Sequence, residues 1–198
     1  MHLIPSYMKK LLISMLLIII PAIPVLHAQL TKIGGGAGFS TGYTFHKVDQ
    51  ENNKSSHFYG SLKGIYEISV PVHISSSITL FVPHVYKLLD TKTTVNTMMF
   101  DINGNYVFNS LDRFEFYALA GLDIMFAWKR EKLLEITYNE RENAPGLNLG
   151  AGTYMKITEQ FDIYAEAKYI LSKYGQFMFN AGILINLDRF NKHEDTGI

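Results

Sequence analysis

Residues Phe114–Trp128 read FEFYALAGLDIMFAW, and this stretch decides the fold. From Phe114 every second residue is apolar: Phe114, Phe116, Ala118, Ala120, Leu122, Ile124, Phe126 and Trp128. The residues between them, Glu115, Tyr117, Leu119, Gly121, Asp123, Met125 and Ala127, are mixed. A period of two belongs to a β-strand with unlike faces. Aromatics close both ends of the apolar face and small or aliphatic residues fill its middle. That is the pattern of a strand whose one face meets hydrocarbon and whose ends meet two membrane–water interfaces.

The same alternation recurs on either side. It marks strands over Lys32–Phe45, Phe58–Ile68, Ile78–Leu88 and Met98–Phe108 before this stretch, and over Leu147–Ile157, Phe161–Leu171 and Gln176–Leu187 after it. Eight alternating segments predict an all-β, eight-stranded antiparallel up-and-down transmembrane barrel. The third strand is irregular: Ile78, Leu80, Val82, Tyr86 and Leu88 share the outward face with His84. Pro83 interrupts its ladder, and a bulge there would shift the register. Expected connections include a turn at 69–77, a short loop at 90–95 and tight turns at 109–113, 158–161 and 172–175. The links 46–57 and 129–145 are expected as long charged loops. The five glycines of Lys32–Phe45 would leave room for large side chains reaching across a narrow lumen.

With the strands oriented, Tyr43, Phe45, Phe58, Tyr86, Phe126, Trp128, Tyr169 and Phe177 fall at the outer end. Tyr66, Tyr106, Phe108, Phe114 and Phe161 fall at the inner end. Two aromatic girdles emerge that played no part in placing the strands.

The chain has 198 residues with 18 basic and 18 acidic side chains, so no cationic excess points to nucleic acid. It has no cysteine, which excludes disulfides and thiol chemistry. The one long apolar run is N-terminal: Lys9-Lys10 precedes LLISMLLIIIPAIPVLHA, ending at Ala28. A basic start, an apolar centre and a small final residue predict a cleaved signal peptide over 1–28. It reads equally well from Met8. Pro21 and Pro24 argue against an anchor helix. The predicted parts are therefore the leader 1–28, a barrel over 29–187 and a polar tail over 188–198.

The last strand carries Asn180-Ala-Gly182-Ile-Leu-Ile185-Asn-Leu187, which resembles the β-signal of outer-membrane barrels, with Leu187 where an aromatic is common. Residues 30–187 as a whole resemble the outer-membrane β-barrel domain family, similar in plan to OmpA- and OmpX-type barrels and porin-like in class. The resemblance implies the outer membrane of a Gram-negative-type cell. It also implies outer-membrane lipid and the barrel-assembly machinery as partners, with no surface partner specified.

Charged residues expected inside are Lys63, Glu67, Asp101, Glu115, Asp123, Lys156, Asp162, Glu166 and Lys168. An eight-stranded lumen is just wide enough for side chains to fill, so these are expected as a paired structural network. A narrow pore for ions or small solutes is the alternative. The one catalytic candidate is His73-Ile-Ser75-Ser76, expected in a turn with no acid partner. A lipid A-modifying enzyme therefore ranks below a structural or surface-interaction role without catalysis. The histidines show no metal-ligand spacing, and no cofactor is expected. The rival fold is a secreted lipocalin-like ligand-binding barrel, with the apolar face turned inward.

Overall fold

The computed structural model describes residues 29–42, 57–69, 71–88, 91–133 and 136–187. These form nine strands: β1 (Gln29–Ser40), β2 (Phe58–Ser69), β3 (Val72–Phe81), β4 (His84–Leu88), β5 (Thr91–Leu111), β6 (Phe114–Leu133), β7 (Ile136–Lys156), β8 (Phe161–Ser172) and β9 (Gln176–Asn186). The wall is antiparallel throughout, and β1 pairs with β9, from Lys32 opposite Asn186 to Ser40 opposite Met178. β3 and β4 both pair with β5, one after the other, so they fill one position in the wall. The result is a closed barrel of eight wall positions.

The faces sort as the alternation requires. Leu122, Ile102 and Ile183 are 64%, 63% and 55% exposed, whereas Tyr117 and Met125 are 0% and 1% exposed. The apolar side of every wall strand points away from the lumen. This is the reverse of a soluble ligand-binding barrel, and it rejects the lipocalin-like alternative. The glycines of β1 play the expected part. Gly38 faces the ring of Tyr59 and Gly36 faces Tyr164, each so closely that a Cβ would collide with it.

Several boundaries differ from expectation. The expected turn at 69–77 is far shorter, because β3 already begins at Val72. Pro71 makes the turn, and Val72, Ile74 and Ile78 alternate with His73, Ser75 and Ser77 beyond it. The bulge expected near Pro83 is present. Leu80 lies opposite Met98 and His84 opposite Val95, so three residues of one strand face two of the other. That extra residue turns His84 away from lipid and onto the side of buried Val95. The turn before β6 narrows to Asp112–Arg113, with Asp112 in the left-handed region at φ 29°, which Asp tolerates. The side chains of Tyr86 and Leu88, and Tyr43, Phe45 and most of the 46–57 link, lie outside the described residues.

The largest correction concerns the two expected loops at 90–95 and 129–145. Among the described residues both are strand. β5 has 21 residues, β6 20 and β7 21, against 12 for β8. A barrel strand needs about 9–11 residues to cross a membrane. β8 meets β7 only from Ser172 opposite Gly146 onward, so Ile136–Pro145 pair with β6 alone. The upper parts of β4, β5, β6 and β7 thus form a four-stranded sheet that rises beyond the barrel rim on one side. The two ends of the barrel chain, the corner at Pro71 and the turns after β5 and β7 lie at the opposite end.

Candidate functional site

The lumen is filled in layers, ordered by distance along each strand from the Asp112–Arg113 end. At the bottom, Lys32 Nζ lies 3.0 Å from Asp162 Oδ2 and 3.4 Å from Glu67 Oε1. His73 Nδ1 stands 3.7 Å from Glu67 Oε1, too far for a hydrogen bond. Above it sits a cluster of Ile65, Tyr117, Leu119, Tyr154, Tyr164 and Leu184, with Tyr117 and Tyr154 stacked at 4.5 Å. These residues belong to the mixed faces of their strands, and their rings and aliphatic chains fill the narrow lumen.

The middle layer is polar. Lys63 pairs with Glu166, which also accepts a 3.0 Å hydrogen bond from the Tyr117 hydroxyl. The Lys63 ammonium lies 4.9 Å from the centre of the Tyr164 ring. Lys168 Nζ lies 2.9 Å from Asp101 Oδ2. Asp101 also accepts from Ser77 at 2.8 Å and from the Asn103 amide at 2.7 Å. Such buried charges are tolerated only when paired and hydrogen-bonded. Asp123 is the exception. It faces Asp101 across the β5–β6 ladder, and neither of its carboxylate oxygens has a hydrogen-bond partner among the described residues. Above this layer Tyr59, Phe81, Met99, Met125, Ile170 and Met178 form a second apolar cluster with Tyr174. Tyr174 and Lys173 both bind the carboxylate of Glu142, tying the β8–β9 link to β7.

Of the expected lumen charges, Lys63, Asp101, Asp123, Asp162, Glu166 and Lys168 are buried. Glu67 and Glu115 are only half-buried, near the bottom rim. Lys156 is a correction: it is exposed, because it is the last residue of β7 and points past the rim. The sequence reading misses Lys32 and His73 among the lumen side chains that carry or can take charge. Lys32 lies on the glycine-rich face of β1 among uncharged neighbours, and His73 falls in the stretch expected as a turn. His73 and Ser75 are in fact buried positions of one strand face. Ser75 donates to Asn105 at 3.4 Å. Among the described residues no hydrogen bond joins His73 to Ser75, as a base and nucleophile would require.

Of the four positions expected as a β-signal, Asn180, Gly182 and Ile185 lie on β9, the strand that closes the barrel, and Leu187 follows its end. Asn180 donates to Ser61 at 2.9 Å and to the Tyr164 hydroxyl at 3.2 Å. Gly182 lies against the backbone of Gly35 and Gly36 and against the Tyr164 ring. Ile185 is paired with both Ile33 and Phe161, and the Leu187 amide donates to the Thr31 carbonyl at 2.7 Å.

The girdles are present where they are described. At the outer end Phe39 and Phe58 meet at 5.8 Å, Tyr169 and Phe177 at 4.6 Å, and Phe126 and Trp128 at 6.4 Å. At the inner end Tyr106, Phe108, Phe114 and Phe161 are exposed.

An antiparallel wall that is closed, apolar outside, filled inside and banded by aromatics defines a transmembrane β-barrel. The chain belongs to the outer membrane protein beta-barrel domain family, whose model matches residues 13–191. Its place is accordingly the outer membrane of a Gram-negative cell, embedded in lipid. No curated protein matches the chain in sequence. Solved barrels share its fold. A major outer membrane protein from Thermus thermophilus is 10% identical, with a TM-score of 0.57 over 79% of this chain and 99% of that one. Ail, the attachment invasion locus protein of Yersinia pestis, is 15% identical, with a TM-score of 0.51 over 79% and 99%. Neisserial surface protein A is 13% identical, with a TM-score of 0.52 over 80% and 97%. At these identities the likeness is one of fold.

Proposed function

We propose that this barrel is a closed structural platform that carries a surface-interaction element, with neither conduction nor catalysis in its lumen. The observation that carries the reading is the filled interior: Lys63 with Glu166 and Lys168 with Asp101 lie buried between two apolar clusters. Water-filled passage needs a continuous polar path, and these two clusters of tyrosine, methionine and aliphatic side chains stand across it. The chain departs most from a minimal barrel in the sheet that rises beyond the rim, so that sheet is the contact element. External segments carried on a rigid barrel are the usual place for such a role.

Export follows from the same reading. The leader 1–28 is removed, and the barrel-assembly machinery inserts residues 29–187 by reading Asn180, Gly182, Ile185 and Leu187. The position of these four on the closing seam supports that role.

Purified protein in planar bilayers tests the closed lumen. The expected record is flat at ordinary holding potentials, and reproducible single-channel steps overturn the proposal. Comparing lipid A from cells with and without the protein by mass tests the absence of catalysis, with unchanged masses expected.

A further inference from the structure

The two faces of the projecting sheet differ in a way the lumen does not require. In the register of β4, β5, β6 and β7, Lys87 lies opposite Lys92, Lys92 opposite Lys132, and Lys132 opposite Thr137. Three lysines thus stand side by side across three strands on the outer face. Two residues nearer the membrane, Val85, Thr94, Arg130 and Asn139 are in line, and Arg130 Nε donates to Asn139 at 3.4 Å. One row lower again, Trp128 stands between Asn96 and Arg141. The outer face therefore holds Lys87, Lys92, Arg130, Lys132 and Arg141, all exposed, and no acidic residue among its described positions.

The inner face of the same sheet does the opposite. Lys129 lies opposite Glu140, and its ammonium is 3.2 Å from Glu131. Glu142 takes Lys173 and Tyr174. Opposite charges stabilise directly facing positions of an antiparallel pair, and like charges destabilise them. The strands could have paired signs on both faces. On the outer face they stack one sign, and among the described residues no ion pair joins any of the five cations to a carboxylate. Such a row is favourable when an anion bridges it.

Position identifies the anion. The outer face continues the lipid-facing side of β5, β6 and β7 without a break, and its lowest row holds Trp128 of the outer girdle. From Trp128 to Lys132 is four residues, about 13 Å along the strand and roughly 10 Å in height for a strand tilted by about 40°. The polar headgroup layer begins at the girdle and is about 5–7 Å deep on each side of an ordinary bilayer. The arginines lie within that layer, and the lysine backbones stand a few ångströms above it, where their long flexible side chains reach down to its phosphates.

We propose that the outer face of the projecting sheet binds the phosphate groups of outer-leaflet lipid headgroups, with Lys87, Lys92 and Lys132 as one bridging row and Arg130 and Arg141 beneath it. This deepens the surface-contact reading and rests on it. It gives the projecting sheet a fixed lipid collar and leaves the inner face and the tip for other contacts.

The test uses the full mature chain, folded in a non-ionic maltoside detergent that brings no phosphate of its own. Bisphosphorylated lipid A is titrated in, and bound lipid is counted by native mass spectrometry. Saturable binding that weakens with salt is expected. Each lysine removed weakens binding by about fivefold, so K87Q/K92Q/K132Q loses roughly a hundredfold. Lys129→Gln, on the inner face, keeps the wild-type affinity. Equal binding of dephosphorylated lipid A, or an unchanged triple variant, overturns the proposal. Tight binding of soluble dextran sulfate with no binding of lipid A also overturns it, by assigning the strip to a soluble polyanion. A heat-modifiability gel accompanies every variant. R130Q/R141Q stands in for the triple variant should that one lose its mobility shift, and an unchanged affinity in it is equally fatal. A wild-type chain without the shift would fail the barrel reading itself, which is a separate outcome.

Discussion

At the scale of single residues the lumen shows how buried charge is held. Lys63 and Glu166 are both almost wholly enclosed, and each is the other's main partner. Removing one leaves the other charged and alone. Glu166→Met or Lys63→Met should each cost about 3–5 kcal/mol, whereas K63M/E166M should recover much of the loss. Urea titrations followed by gel mobility would read this as a double-mutant cycle, and additive losses would show that the two are not coupled. Asp123 predicts the opposite sign. Its oxygens lack donors, and on the diagonal position of β7 the Asn148 Oδ1 lacks one too. Asp123→Asn removes a buried charge and supplies N–H donors, so it should stabilise by about 1–3 kcal/mol. The temperature at which the folded band disappears should rise by a few degrees, and a fall would show that the carboxylate has a partner of its own. Most of these lumen charges are legible in the sequence because each sits on the polar side of an alternating strand. Lys156 is misplaced by that reading because alternation gives the face and not the height: it faces inward in phase but stands beyond the rim.

At the scale of elements, legibility follows the solvent outside each strand. Where the outer face meets hydrocarbon, hydropathy alternates and the strands are readable to within a few residues. Above the girdle the outer face meets water or headgroups, so both faces are polar and the alternation of hydropathy disappears. In Lys129–Lys132 what alternates is the company each charge keeps: Lys129 and Glu131 pair inward, while Arg130 and Lys132 point outward. Period two persists in charge after it has vanished in hydropathy, and that is the signal by which the projecting strands could be found. β3 is obscured for another reason. Its serines suggest a turn, although Val72, Ile74 and Ile78 keep the period once Pro71 is taken as the corner. The projecting hairpin also predicts its own independence. Ile136–Pro145 pair with β6 alone, so replacing 130–139 with Asn-Gly, a two-residue turn that keeps Lys129 opposite Glu140, should leave the barrel intact. The heat-induced mobility shift should survive the replacement; its loss would mean that the sheet is needed to fold the wall.

At the scale of the whole molecule, two independent features agree on where the membrane lies. The apolar exterior fixes a band around the wall, and the aromatics close that band at both ends. Closure itself is legible, since nothing else satisfies eight amphipathic strands in lipid. The lopsided rim is not, because strand length above the membrane is set by pairing between β4, β5, β6 and β7 and leaves no trace in the lipid-facing pattern.

Trp128 is the chain's one tryptophan, half-buried beside Phe126 and directly opposite Arg141. It is therefore a built-in optical depth gauge for the whole assembly. In vesicles its emission should shift to shorter wavelength as the chain inserts. Lipids brominated near the glycerol should quench it more strongly than lipids brominated near the acyl-chain end. Quenching strongest at the bilayer centre would move the membrane up the wall and put the arginines into hydrocarbon, contradicting the placement of every row above it.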